Sequence, residues 1–280
     1  MQAERFLLKL PTGLERNPLL STTFASAKQL SSALGCDETQ LRGVLAPTVT
    51  GEDGFLNSTL PWFQRLVRED RDTLFPGGTV ELLTGAQQEV RLSKMQCAWL
   101  LGGMFFSLFD AGNAASKVAY PAGRFFNLFT LNLLWRRDMR APLTCVANYM
   151  SRVAQVGQRG DCFCLLALSA IALQGACSQT PVVISRYTLP KEYAIDGTRR
   201  LRNVAVSATK PIEDCVAPLH ADFANKFPGG GTLDGGCVQE EILFVIKPEC
   251  LISMLLVEVL DDSSAFFIEG AGESLVRSAV

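Results

Sequence analysis

Apolar residues follow two different rhythms along this chain. Through the first half they recur at three- and four-residue steps or merge into dense runs. Leu92 to Phe109 (LSKMQCAWLLGGMFFSLF) lacks the alternation of a strand, and its length predicts a buried helix, weakened by the Gly102-Gly103 pair. Arg124 to Trp135 and Leu143 to Val153 repeat apolar residues at helical steps. Pro121 and Pro142 stand near their starts, where a missing backbone N–H costs little. Pro47 to Asp72 is mixed, with Gly, Asp and Pro marking turns. After Gln155 the period shortens. Val182 to Ile184 and Leu201 to Ala205 are brief and rich in β-branched residues, as strands are. Leu219, Ala221 and Phe223 alternate with His220 and Asp222, another strand pattern, which Phe227-Pro228 and a run of glycines break. Val238 to Ile246 returns to helical spacing and is closed by Pro248, and Ala265 to Ile268 reads as a further strand. Strand, glycine loop, helix and strand make an α/β unit behind a helical first half.

Composition narrows the function classes. The 280 residues are 48% hydrophobic and 19% charged, enough apolar content for a sizeable core and too much for extended disorder. The formal net charge of −2 leaves no basic footprint for duplex nucleic acid, so an anionic ligand must be held by local geometry. The clusters Arg136-Arg137 with Arg140, and Arg199-Arg200 with Arg202, read as solvated faces. Nine cysteines occur without a CxxC pair, and His220 is the only histidine, so no metal site and no cofactor is expected. Odd, scattered cysteines fit a reducing compartment. The most hydrophobic stretch, Cys162 to Cys177, falls short of the ~20 residues of a spanning helix, and a buried helix is expected there rather than a membrane anchor.

Candidate chemistry gathers between Asp222 and Glu241. Gly229, Gly230 and Gly231 let the backbone approach a ligand and turn N–H groups toward it, and a helix start follows. The loop is neither a Walker loop nor a dinucleotide fingerprint. Gln239, Glu240 and Glu241 open the helix. Acidic residues favour a first helical turn in any protein, through the dipole. Beside a bound diphosphate-sugar, like charge and desolvation would also raise a carboxyl pKa and keep it protonated for donation to a leaving oxygen. The two glutamates point about 100° apart and so suit different tasks. Asp222 and Asn225 stand just before the loop, where Asp222 could accept from ribose hydroxyls and Asn225 could do the same or hold the loop.

The stretch DFANKFPGGGTLDGGCVQEEILFVIKPE, Asp222 to Glu249, resembles the signature of the poly(ADP-ribose) glycohydrolase family, a triple glycine followed after a short spacer by Gln-Glu-Glu. Leu92 to Phe109 is similar to a family helix ending in paired phenylalanines, Asn127 to Phe129 (Asn-Leu-Phe) to part of the helical stretch that follows it, and Pro211 to Asp214 to its Ile-Glu-Asp segment. The resemblance implies an all-α accessory domain (1–155) and an α/β macrodomain with a mixed sheet flanked by helices (180–280), while the apolar stretch between them (156–179) has no clear counterpart in the family and reads as an insertion. It implies hydrolysis of the ribose–ribose O-glycosidic bond, with Glu241 as general acid and then base. Glu240 and Asp222 would hold ribose hydroxyls, assisted by Asn225. Gly229 to Gly231 would face the diphosphate, with Gln239 also at the substrate, and Ile212 and Glu213 at adenine. Its substrate would be poly(ADP-ribose) on ADP-ribosylated proteins, met by a monomer in the nucleus or cytoplasm in the response to DNA damage. After Gly270 the family continues with a tyrosine-rich loop that has no match here, so a macrodomain incomplete at its C-terminus and weaker substrate binding are expected. A catalytically impaired ADP-ribose-binding protein is the alternative.

Overall fold

The computed structural model describes residues 6–85, 87–106, 108–109, 140–158, 180–190, 197–198, 206–209, 219–233 and 235–272. Strands β1 (Leu7–Lys9) and β2 (Thr79–Glu81) pair antiparallel, Leu8 opposite Val80, and bring together the two ends of the first helical region. Between them run α1 (Pro18–Ser21), α2 (Ala27–Leu34), α3 (Glu38–Leu45), α4 (Gly51–Gly54), α5 (Leu60–Glu69) and α6 (Arg71–Leu74). Asn17, Ser26 and Asp37 cap the first three, each accepting a backbone N–H of the first turn with its side-chain oxygen. Where turns were expected between Pro47 and Asp72, the chain is helical from Gly51 to Glu69. Pro61 cannot donate a hydrogen bond, and the wider π-helical turn at Phe55–Thr59 just before it absorbs the defect without breaking the helix.

The expected long helix is α7 (Lys94–Phe105), opened by a reciprocal capping box between Ser93 and Gln96. Its residues from Cys97 to Phe105 are all buried. A Cβ on Gly102 would lie 2.7 Å from the Phe63 ring, and one on Gly103 2.7 Å from the Phe109 ring. Gly102 therefore lets α7 close on α5 and Gly103 makes room for Phe109, and packing outweighs a helix-propensity cost of about 1 kcal/mol per glycine. Helix α8 (Arg140–Gln158) contains the expected Leu143–Val153 and packs against α3, α5 and α7. No helix among the described residues is long and apolar enough to cross a membrane. The segments Arg124–Trp135, Cys162–Cys177 and Leu201–Ala205 lie outside the described residues.

The principal sheet has the order β3 (Gln88–Leu92), β4 (Val182–Thr188), β5 (Ser264–Glu269), antiparallel throughout. Val90, Ile184 and Ile268 stand in one row across it. Two of its strands match expectation, while β3 comes from the half that read as helical. A parallel bridge joins Leu83 to Val257 outside these strands. The expected strand at Leu219–Phe223 enters no ladder, and its alternating residues are exposed, Leu219 at 69% and Phe223 at 75%. Alternation there reflects no buried face.

Helix α9 (Gln239–Ile246), a 3-10 turn (Pro248–Ile252) and α10 (Ser253–Leu256) carry the chain from the glycine loop toward β5. One hydrophobic core runs from Leu8 to Val257 and takes in both helical and sheet regions. Glu249, 0% exposed, fastens them together. Its carboxylate accepts from Lys94 Nζ at 2.6 Å, Tyr149 Oη at 2.9 Å and the Gly272 N–H at 2.8 Å. Lys94 also donates to the Gly270 carbonyl at 2.7 Å.

Candidate active site

Helix α9 begins at Val238, an N-cap without a side-chain acceptor. The acids of the first turn do not replace that acceptor; they take backbone N–H groups that precede the helix. Glu241 reaches back so that its Oε2 accepts the Val238 N–H at 3.0 Å, while its Oε1 accepts the Gly231 N–H at 2.8 Å. Glu240 Oε1 accepts the Gly229 N–H at 2.7 Å. Both glutamates are buried, at 2% and 6% exposure. The loop that receives them is wound tightly. Gly230 N–H donates to the Phe227 carbonyl at 2.9 Å, Thr232 N–H and Oγ1 donate to the Gly229 carbonyl, and Gly236 N–H donates to the Gly231 carbonyl at 2.8 Å. Glycine is required at the centre of this turn. Gly230 has φ +49°, and a Cβ there would stand 2.6 Å from both Glu240 Oε2 and Glu241 Oε1. A Cβ on Gly236 would stand 2.8 Å from Glu241 Cγ.

Asp222 completes a cluster of three carboxyls. Burial first, and the Glu241 charge second, push its pKa up to about 6. Burial, then the Asp222 charge, push Glu240 up to about 7, against the Gly229 N–H that favours its ionised form. Asp222 Oδ1 is buried without a hydrogen-bond partner. The stretch that carries Asp222 is held by Gln239: its Oε1 accepts the Phe223 N–H at 3.0 Å and its Nε2 donates to the Ala221 carbonyl at 3.2 Å. Asn225 Oδ1 accepts the Phe227 N–H at 2.7 Å, so of its two expected tasks the loop-holding one is visible.

The structure thus brings together Asp222, Asn225, the three glycines, Gln239, Glu240 and Glu241, all within one loop–helix unit. One expectation is corrected. The N–H groups of Gly229, Gly230 and Gly231 do not turn outward to form an anion cradle, because each donates to a neighbouring carboxylate or carbonyl. Ile212 and Glu213 lie outside the described residues. Sequence reasoning missed Thr232 and Gly236, which set the shape of the seat; the second glycine pair in the spacer was the available signal. Beside the cluster opens a cleft of about 1230 Å3, bordered by Asp222, Asn225, Lys226, Phe244 and Lys247 and by β5. Glu240 and Glu241 stand against the glycine turn and do not border it. Among the described residues no group of three His, Cys, Asp or Glu side chains is arranged to hold a metal ion.

Two family models match the chain. Residues 49–166 match "Poly (ADP-ribose) glycohydrolase (PARG), helical domain", and residues 192–277 match "Poly (ADP-ribose) glycohydrolase (PARG), Macro domain fold". Among curated relatives, Poly(ADP-ribose) glycohydrolase 1 of Arabidopsis thaliana is 32% identical over 190 residues, covering 65% of this chain and 30% of the relative. Probable poly(ADP-ribose) glycohydrolase 2 of the same plant is 39% identical over 193 residues, covering 67% and 35%. Poly(ADP-ribose) glycohydrolase 2 of Caenorhabditis elegans is 38% identical over 97 residues, covering 35% and 20%. The matched part spans at most about a third of the length of these relatives. A helical region followed by a macrodomain-fold region, with the acid pair seated on its triple glycine, makes this chain a member of the poly(ADP-ribose) glycohydrolase family.

Proposed function

We propose that the chain hydrolyses the ribose–ribose O-glycosidic bond of poly(ADP-ribose) and releases ADP-ribose, with Glu241 as general acid and then general base. The observation that carries this is the seating of Glu240 and Glu241 on the glycine turn, with Asp222 close enough for the three charges to feel one another. Acid–base catalysis of glycoside cleavage needs a proton donor and a carboxylate at the same place and pH. Asp222 and Glu240, the two carboxyls beside Glu241, titrate near 6 and 7, so protonated and ionised carboxyls occur together in the cluster near neutrality. As the bond between the anomeric carbon and the 2′ oxygen breaks, its electron pair goes to the oxygen and the acid's proton follows. The oxocarbenium-like centre then takes water, whose proton returns to the same carboxylate. Glu240 and Asp222 hold ribose hydroxyls, and the unpartnered Asp222 Oδ1 supplies an acceptor for one. Asn225 keeps the glycine turn in shape. Purified polymer is the test substrate. Glu241→Gln is expected to release ADP-ribose about 10²–10⁴-fold more slowly than the unsubstituted protein, the usual worth of general acid–base catalysis; equal rates overturn the assignment.

A second reading, an ADP-ribose-binding macrodomain with little turnover, draws on one observation: both Glu241 oxygens already accept backbone N–H groups. Calorimetry separates the two. Binding of ADP-ribose with no release from polymer favours the second, and absence of binding removes both.

A further inference from the structure

Gln239 has an assignment more specific than substrate contact. Its carboxamide bonds the carbonyl of Ala221 and the N–H of Phe223, the two backbone groups that flank Asp222. In a parallel ladder, the strand next to residue i donates to the carbonyl of i−1 and accepts from the N–H of i+1. The amide of Gln239 therefore stands in for one residue of a neighbouring strand, in a stretch that enters no ladder of its own. Without a partner, nothing in the hydrogen bonding of residues 221–223 would fix the direction in which Asp222 points. Gln239 is also the residue immediately before Glu240, so the clip is tied to the same helical turn that carries both glutamates. Three carboxyls held close repel one another once ionised. Some fixed contact must keep Asp222 from swinging into the open cleft it borders.

We propose that Gln239 is a positioning residue: its side-chain amide clips residues 221–223 to the start of α9 and so holds Asp222 against Glu240 and Glu241. For its effect on turnover this rests on the glycohydrolase assignment; for the geometry it does not. The charged and titratable groups around the cluster, among the described residues, are Asp222 itself, Glu240 and Glu241 from α9, and His220, Lys226, Lys247, Cys250, Asp261, Asp262 and Glu269 along the cleft. Release of the clip lets Asp222 move toward water, which removes both burial and like charge from it and from Glu240.

The test is a carbon-13 NMR titration of the side-chain carboxyls in the ligand-free protein, for the unsubstituted chain and for Gln239→Ala and Gln239→Met. Gln239 is only half-buried, and methionine retains its stem without either hydrogen bond, which guards against a variant that fails to fold. Titration of Asp222 and Glu240 is expected to fall by about one pH unit toward the ordinary carboxylate range in both variants, while cooperative thermal unfolding persists. Unchanged titration in either folded variant overturns the proposal. With polymer as substrate, kcat is expected to fall about tenfold at nearly constant KM, together with a displaced acidic limb of the pH profile. A rise in KM at constant kcat instead makes Gln239 a substrate contact and overturns it. If the unsubstituted chain releases no ADP-ribose, the glycohydrolase assignment fails, and the titration still decides the role of Gln239.

Discussion

Asp222 and Glu240 are carboxyls kept where their charge is unwelcome, and this has a consequence for stability that can be signed. In the unfolded chain they titrate near 3.8 and 4.5; in the fold they titrate near 6 and 7. The folded state thus holds more protons than the unfolded state across that window, and stability falls as pH rises through it. Below the unfolded values both states are protonated and the penalty vanishes. Asp222→Asn removes one ionisable group and relieves the other. It is expected to raise the melting temperature at neutral pH and to leave it nearly unchanged at about pH 3.5, below the ordinary carboxylate range; scanning calorimetry at the two pH values checks this. Gly230 supplies a second residue-scale prediction. Alanine there meets two glutamate oxygens and adopts φ +49°, and a cost of about 1–3 kcal/mol is expected in urea unfolding. The glycine triplet and the acid pair could be found from the chain alone because they are short-range features of one loop and one helix start. Which partner each N–H would choose could not be found that way. The glutamates take those donors because the loop folds back onto the start of α9.

At the scale of elements, local signals worked where they were not contested. The dense apolar run from Leu92 holds α7, and the helical spacing at Leu143–Val153 and Val238–Ile246 falls on α8 and α9. They failed where a neighbour decided. Strand β3, with polar Gln88, Glu89 and Arg91 beside Val90 and Leu92, is a strand because β4 lies beside it. Leu219–Phe223 has the alternation of a strand and no strand beside it among the described residues, so its backbone turns to Gln239. Helix α9 offers a test of the half-built cap. Val238 is exposed and already extended, so Val238→Ser adds the missing acceptor and completes a box with Glu241. A gain of about 0.5–2 kcal/mol is expected in urea unfolding. No gain would mean that Glu241 alone already meets the need of the first turn.

For the molecule as a whole, Glu249 is the fastening that matters. A carboxylate at 0% exposure is tolerated only because Lys94, Tyr149 and Gly272 surround it with donors. Those donors come from α7, from α8 and from the chain just past β5, so the contact binds the helical region to the sheet. Lys94→Met leaves the charge buried with neutral donors alone, and a loss of about 3–5 kcal/mol is expected by denaturant titration. Lys94→Met combined with Glu249→Met is expected to recover part of that loss, since no unpaired charge then remains.

By itself, the sequence determined that the chain has a helical region before an α/β one, and that a glycine triplet runs into a helix opened by Gln-Glu-Glu. Both follow from contacts between residues a few positions apart. Only the tertiary structure decided that the sheet borrows a strand from the helical half, that the glycine N–H groups serve the glutamates rather than standing open, and that Lys94 and Tyr149 secure Glu249. Each of those choices is a competition for hydrogen-bond partners and buried space between segments far apart in the chain, and spacing along one segment carries no record of who wins it.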